Sequence, residues 1–235
     1  MFVHTLNPLI QIGPITLRYY GILFFVGFVI AFLVTRKIAE ENGFGKDNID
    51  AFFLIAVIST LIGIRLFHVF VYSWDYFKLR PLEILFFWKG GLSSHGAIIG
   101  LFIGAYIFTH VKKLSFYKLL DAMAIGVLIG PAITVRLGNF INGELVGSIT
   151  SLPWGVKFPK FDWFRHPVQL YQAMYNFSIF LILMKFRKYK FQDGFIFYLG
   201  VTLWTISRFL VEFLRDPASS KHFYFLTTAQ FASLL

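Results

Sequence analysis

Long apolar runs alternate with short basic connections along almost the whole chain. Six of these runs, at residues 17–35, 51–72, 91–110, 119–135, 168–184 and 194–214, are long enough to cross a bilayer as helices or come close to it. The first follows a tail containing Pro8, Gly13 and Pro14. No small-residue cleavage site comes after it, so it is expected to stay on the protein as a helix. In the third run Gly96, Gly100 and Gly104 recur every fourth residue, which puts them on one helix face and predicts a close helix contact. Trp74, Tyr76 and Trp88 mark an interfacial arm around Arg80-Pro81. A longer outer loop, 137–165, separates the fourth and fifth runs. His166-Pro167 opens the fifth, and Asp216-Pro217 closes the sixth. The pattern predicts an all-α, polytopic helical membrane protein, one integral domain over residues 1–235 without internal repeats.

Composition sharpens this reading. Of 235 residues 57% are hydrophobic and 14% charged, more apolar surface than a soluble domain of this size needs. The formal charge of +10 is concentrated in short connections, notably Arg36, Lys37 and Lys46, then Lys112, Lys113 and Lys118, then Lys185, Arg187, Lys188 and Lys190. Such density orients a membrane protein with those loops inside, hence the N-terminus outside, and favours anionic lipid over nucleic acid as a partner. Cysteine is absent, so the chain has no disulfide, thiolate metal site or cysteine nucleophile, and any reacting thiol arrives with a substrate. No metal-ligand constellation is evident, and no cofactor is expected.

The polar residues within the apolar runs are not scattered. With this topology Tyr20, Arg65, His68, His95, Arg136, His166, Gln169, Arg208, Glu212 and Arg215 all fall in the outer half of the membrane. Charges there are costly unless they pair or line a cavity. A basic, polar cavity opening to the outer leaflet is therefore expected, with an anionic lipid or exported anion as ligand.

Its densest stretch, Arg136–Gly147, reads R-L-G-N-F-I-N-G-E-L-V-G. It combines a guanidinium fork, the amides of Asn139 and Asn142, Glu144 and three glycines just where the fourth run should leave the hydrocarbon. The plainer alternative is a polar turn whose arginine snorkels. His95, about 7.5 Å along a helix from Gly90, can take a proton from a nucleophile or be satisfied by a neighbouring carbonyl. Arg208 and Glu212 are spaced as a helical ion pair, but one glutamate does not neutralise Arg136, Arg208 and Arg215 together. Arg65 and His68 read as support, and Asp121 as a helix-start carboxylate. A transporter or flippase would also use such a pocket, though it calls for polar groups at both leaflets and often for inverted repeats.

The stretch Arg136–Gly147 closely resembles the signature of bacterial prolipoprotein diacylglyceryl transferases, G-R-x-G-N-F-x-N-x-E followed by glycine. R-Y-Y-G at Arg18–Gly21, G-G-L-S-S-H-G at Gly90–Gly96, H-P-V-Q-L-Y at His166–Tyr171 and R-F-L-V-E-F-L-R-D-P at Arg208–Pro217 match as well, in the family's order. The resemblance implies transfer of a diacylglyceryl group from phosphatidylglycerol to the lipobox cysteine of prolipoprotein signal peptides. It also implies release of glycerol phosphate and a place in the bacterial inner membrane with the site facing the outer leaflet. It implies catalytic roles for His95, Tyr20 and Arg208, with Arg136, Asn139, Asn142, Glu144 and Gly147 binding the lipid. Glu212, Arg215, His166 and Gln169 then support the site. The chain departs from the family pattern at Val135 and Ala97, where glycine is common, and at Gln172, where glutamate is usual. The family usually has a seventh membrane helix. Here that helix is expected to begin near Gln230–Leu235, so the sequence is either cut short or lacks it.

Overall fold

A computed structural model describes residues 1–86, 90, 91, 93–217, 222, 223, 226, 227 and 230. Helices dominate, and among the described residues five helical stretches are long and apolar enough to cross a membrane: Tyr19–Glu41, Lys46–Tyr72, His95–Lys112, Phe116–Asn142 and Phe195–Glu212. The predicted run 168–184 is also helical, but its buried face carries Gln169, Gln172 and Asn176, which lowers its apolarity. The chain divides into two compact units, one formed by Met1–Thr35 with Leu120–Leu235, the other by Arg36–Leu119.

In the first unit the N-terminal tail, given no element from the sequence, is ordered into strands. Strand β1 (Phe2–Val3) pairs in parallel with β4 (Val156–Lys157), and β2 (Leu9–Ile12) forms a hairpin with β3 (Ile15–Arg18). The hairpin turns at Gly13, whose φ of 59° is accessible to glycine at little cost. Residues 17 and 18 therefore belong to β3, and helix α1 (Tyr19–Glu41) begins two residues later than predicted.

The fourth run differs more. It is not one helix ending at Val135 but two, α5 (Phe116–Ile129) and α6 (Pro131–Asn142), broken at Gly130-Pro131. Proline lacks an N–H and cannot continue the ladder, whereas it fits a first helical turn. Glycines at 27, 126 and 130 leave no room for side chains where α1 lies against the break. Arg136 thus lies inside a helix, and the loop after it begins at Gly143, not at Leu137. Helix α7 (Val168–Phe186) packs on α6, and α8 (Phe195–Glu212) packs on α7.

Asp121, read from sequence as a helix-start carboxylate, sits in the second turn of α5 and caps a different helix. Its carboxylate accepts from Gly194 N–H and Phe197 N–H, both at 2.8 Å, and so satisfies donors that the first turn of α8 leaves open.

The second unit is built on α2 (Lys46–Phe67) and α4 (Ser94–Lys112). Their contact uses the predicted glycine stripe: Gly96, Gly100 and Gly104 face Gly63 and Ser59 with no space for a Cβ. A π-type turn, His68–Tyr72, and the short helix α3 (Trp74–Phe77) lead into the arm. Arg65 organises it. The buried guanidinium donates to the carbonyls of Ile84 (2.8 Å), Gly90 (2.7 Å) and Glu83 (2.6 Å) and lies over the Phe77 ring. These contacts tie Arg65 to the backbone of the arm. Trp88 and the rest of the expected seventh helix beyond Gln230 lie outside the described residues.

Candidate active site

Helix α6 projects Arg136 and Asn139 from one face, being three residues apart, and ends in the left-handed conformation at Gly143 (φ 63°). That C-terminal turn folds Glu144 back onto the helix. Its carboxylate accepts from Asn139 Nδ2 at 2.8 Å and Asn142 Nδ2 at 3.2 Å, while Asn139 Oδ1 accepts from Arg136 Nη1 at 3.3 Å. The four residues form one chain of charge-assisted bonds. The Asn139 amide is buried and bonded through both its oxygen and its nitrogen, so it orients the arginine and the glutamate together.

Helix α8 supplies the second half. Glu212 is 5% exposed and pairs with Arg208 one turn earlier and with Arg215 Nη1 at 3.6 Å. The electrostatic neighbours of Arg136 are Tyr175, Arg208, Arg215 and Tyr20. Arg136, Arg208, Arg215 and Tyr20, all expected from sequence to act together, are therefore assembled in one unit. Around three guanidinium groups Glu212 offers one buried carboxylate, and the surplus positive charge suits a phosphate.

Gly147 holds the two halves against each other. It forms an antiparallel bridge with Arg215, its N–H donates to His166 O at 3.0 Å, and its carbonyl accepts from Arg165 Nη1 at 3.0 Å. A Cβ here would stand 2.6 Å from both His166 Cβ and Leu214 O. The glycine is thus explained by backbone packing, without a ligand. Arg165 also pairs with Asp216 at 3.0 Å, clamping the loop to the end of α8.

The supporting residues are placed nearby. Gln169, 1% exposed, donates to Glu144 O at 2.6 Å. His166 Nδ1 lies 3.2 Å from Tyr171 Oη, which accepts from Trp154 Nε1 at 2.8 Å, and burial holds the His166 pKa below the usual histidine value. His95 belongs to the other unit. It is exposed in the first turn of α4, 3.3 Å from the Tyr72 hydroxyl through Nδ1, with its ring stacked on Phe67.

Two features were not foreseen. Tyr175 faces Arg136, Arg208 and Glu212, and nothing in its sequence context marked it. Gln169, Gln172 and Asn176 form one buried face of α7, with Asn176 donating to Ala132 O at 2.8 Å just past the helix break. Their spacing of three and seven residues was the available signal.

A family profile described as prolipoprotein diacylglyceryl transferase matches residues 7–235. The chain belongs to this family. It is 39% identical over 217 residues to a protein of Tolumonas auensis named phosphatidylglycerol–prolipoprotein diacylglyceryl transferase, covering 90% of this chain and 83% of that one. A protein of the same name from Geobacter sulfurreducens is 35% identical over 92% of this chain and 84% of its own. Another from Clostridioides difficile is 37% identical over 87% and 81%. The departure from the diacylglyceryl transferase pattern at Gln172 lies on the buried α7 face, one turn from Gln169.

Proposed function

We propose that this protein transfers the diacylglyceryl group of phosphatidylglycerol to the cysteine thiol of exported prolipoproteins, at the outer face of a bacterial inner membrane with its N-terminus outside. The observation that carries the proposal is the clustering of Arg136 with Arg208 and Arg215, the last two sharing the buried carboxylate of Glu212. Family membership supplies the reaction, and the cluster fits its anionic lipid.

In the proposed step the cysteine thiolate attacks the sn-3 carbon of the diacylglycerol. A C–S bond forms as the C–O bond to phosphate breaks, and glycerol phosphate leaves with the electron pair. The thiol proton passes to a base, the role that the family resemblance gives to His95. Arg136 and Arg208 flank the phosphate and stabilise charge developing on the departing oxygen, where fixed donors act most strongly. A thiolate is the competent nucleophile, and the surrounding positive potential lowers its pKa. Tyr20 bounds the cluster beside Arg136. The Asn139–Glu144 chain keeps Arg136 from swinging to solvent. No observation favours transport.

The test is to incubate purified protein with phosphatidylglycerol and a lipobox peptide and to follow the peptide mass. A gain of one diacylglyceryl unit, lost when the peptide cysteine is serine, supports the reading. Unmodified peptide under conditions where the protein stays folded overturns it.

A further inference from the structure

Helix α7 gives the arginine cluster a wall that the proposed step leaves unused. It packs on both α6 and α8 and runs antiparallel to α6. Asn176 bonds to Ala132 O near the start of α6, and Gln169 bonds to Glu144 O beyond its end. Arg136 lies one turn past Ala132, about 6 Å along the axis, which sets it level with Gln172 of α7. Helical side chains lean toward the N-terminus, so the ring of Tyr175 reaches back over the preceding turn to that level. Tyr175 is accordingly the strongest electrostatic neighbour of Arg136, ahead of Arg208, Arg215 and Tyr20. Its hydroxyl is also within electrostatic range of Arg208 and Glu212.

Two observations bear on what this hydroxyl meets. It hydrogen-bonds to nothing among the described residues, whereas Tyr171, one turn earlier, has both Trp154 and His166 as partners. Nor is it sealed away. Tyr175 is partly buried, but its oxygen is not among the unpartnered polar atoms closed off by packing, as Gln169 Oε1 and Asn176 Oδ1 are. A phenol donor therefore opens onto space beside the arginines.

The neighbours restrict what that donor can find. Arg136 and Arg208 carry donors only, and the Glu212 carboxylate is engaged by Arg208 and Arg215. An O–H in a basic pocket, with no acceptor among the described residues, calls for an anionic oxygen from a ligand. A phenol also adds a donor without adding a further cation to those already crowded there.

We propose that Tyr175 is a phosphate-binding residue of this site, donating its hydroxyl to a non-bridging phosphate oxygen of the lipid that Arg136 and Arg208 flank. The inference rests on the phosphatidylglycerol reading of the cluster for the identity of the anion.

Lipid binding read without turnover tests it. Unfolding temperatures in detergent are followed against added phosphatidylglycerol and, separately, diacylglycerol, which has acyl chains but no phosphate. Tyr175→Phe keeps the ring and removes only the hydroxyl. Its lipid-free unfolding temperature is expected to match the parent, and its diacylglycerol response to stay the same. The phosphatidylglycerol concentration giving half of full stabilisation is expected to rise about tenfold, the effect of one lost hydrogen bond. A parent-like phosphatidylglycerol response overturns the proposal. So does an equal change for both lipids, which would set Tyr175 against the acyl chains, or a loss confined to Tyr175→Leu, which would make the ring and not the hydroxyl the contact. The two readings fail separately. If phosphatidylglycerol stabilises the parent and Tyr175→Phe weakens that effect, but no lipobox peptide is ever modified, the contact stands and the transfer reading falls. If transfer proceeds while Tyr175→Phe binds lipid as the parent does, only the contact falls.

Discussion

Tyr20 lies against Gly138 so closely that a Cβ on the glycine would stand 2.9 Å from the ring's Cδ2 and 3.3 Å from its Cα. The first turn of α1 is thereby fixed on the middle of α6, two residues from Arg136. Gly138→Ala must displace the tyrosine. Overpacking of this kind costs about 1–3 kcal/mol. We expect a modest loss of thermal stability but a fall in transfer rate of about tenfold or more, approaching that of Tyr20→Ala, measured by peptide mass with phosphatidylglycerol.

Glu212 is the buried counterion of Arg208 and Arg215. Glu212→Ala leaves two guanidinium groups facing each other, and loss of one partner from a buried pair costs roughly 3–5 kcal/mol. Thermal unfolding in detergent should show a large drop. Glu212→Gln keeps an acceptor and should recover part of the stability but not the lipid KM. Equal stability of Glu212→Ala and the parent protein would remove the ion-pair account.

Asp121→Ala should uncap α8 and lower stability by about 1–2 kcal/mol. Asp121→Asn retains one carbonyl oxygen for the two N–H donors and should fall between. Both are read by thermal unfolding, and a parent-like value for Asp121→Ala would show the cap to be dispensable.

His166 titrates below the usual histidine value because burial disfavours its charged form. The unfolded chain then binds the proton more readily than the folded one, so stability is complete above the ordinary pKa of about 6.5 and declines as pH falls through it. Unfolding temperatures at about pH 7.5 and 5.5 should differ more in the parent than in His166→Gln. The same slope in both proteins would assign it to another group.

His95→Gln keeps a hydrogen-bonding side chain without basicity. If His95 accepts the thiol proton, the variant transfers slowly near neutral pH and recovers in alkali, where the thiol ionises unaided. Parent-like rates at pH 7 would reject the assignment.

Local spacing carried much of this in advance. The four-residue recurrence of Gly96, Gly100 and Gly104 predicted a helix contact, and Gly63 and Ser59 provide it. The i,i+4 spacing of Arg208 and Glu212 predicted a pair, and it forms. What sequence concealed depends on partners far along the chain. Asp121 looked like a local helix start because the helix it caps begins 73 residues later. Pro131 lay within an apolar run that reads as continuous, so the break before α6 and the helical setting of Arg136 were hidden. Hydrophobic Phe2 and Val3 gave no hint of a strand whose partner is Val156–Lys157.

The Asp121 cap has one further effect. Between Gly194, where the carboxylate grips, and Arg208 the backbone climbs about 21 Å at helical rise. A fixed rod pinned at its foot sets the height of whatever it carries, so the position of the Arg208 guanidinium along α8 is gauged from the Asp121 cap. Adding or removing one residue between Gly194 and Arg208 would shift the guanidinium by about 1.5 Å along the axis and turn it by about 100° around it.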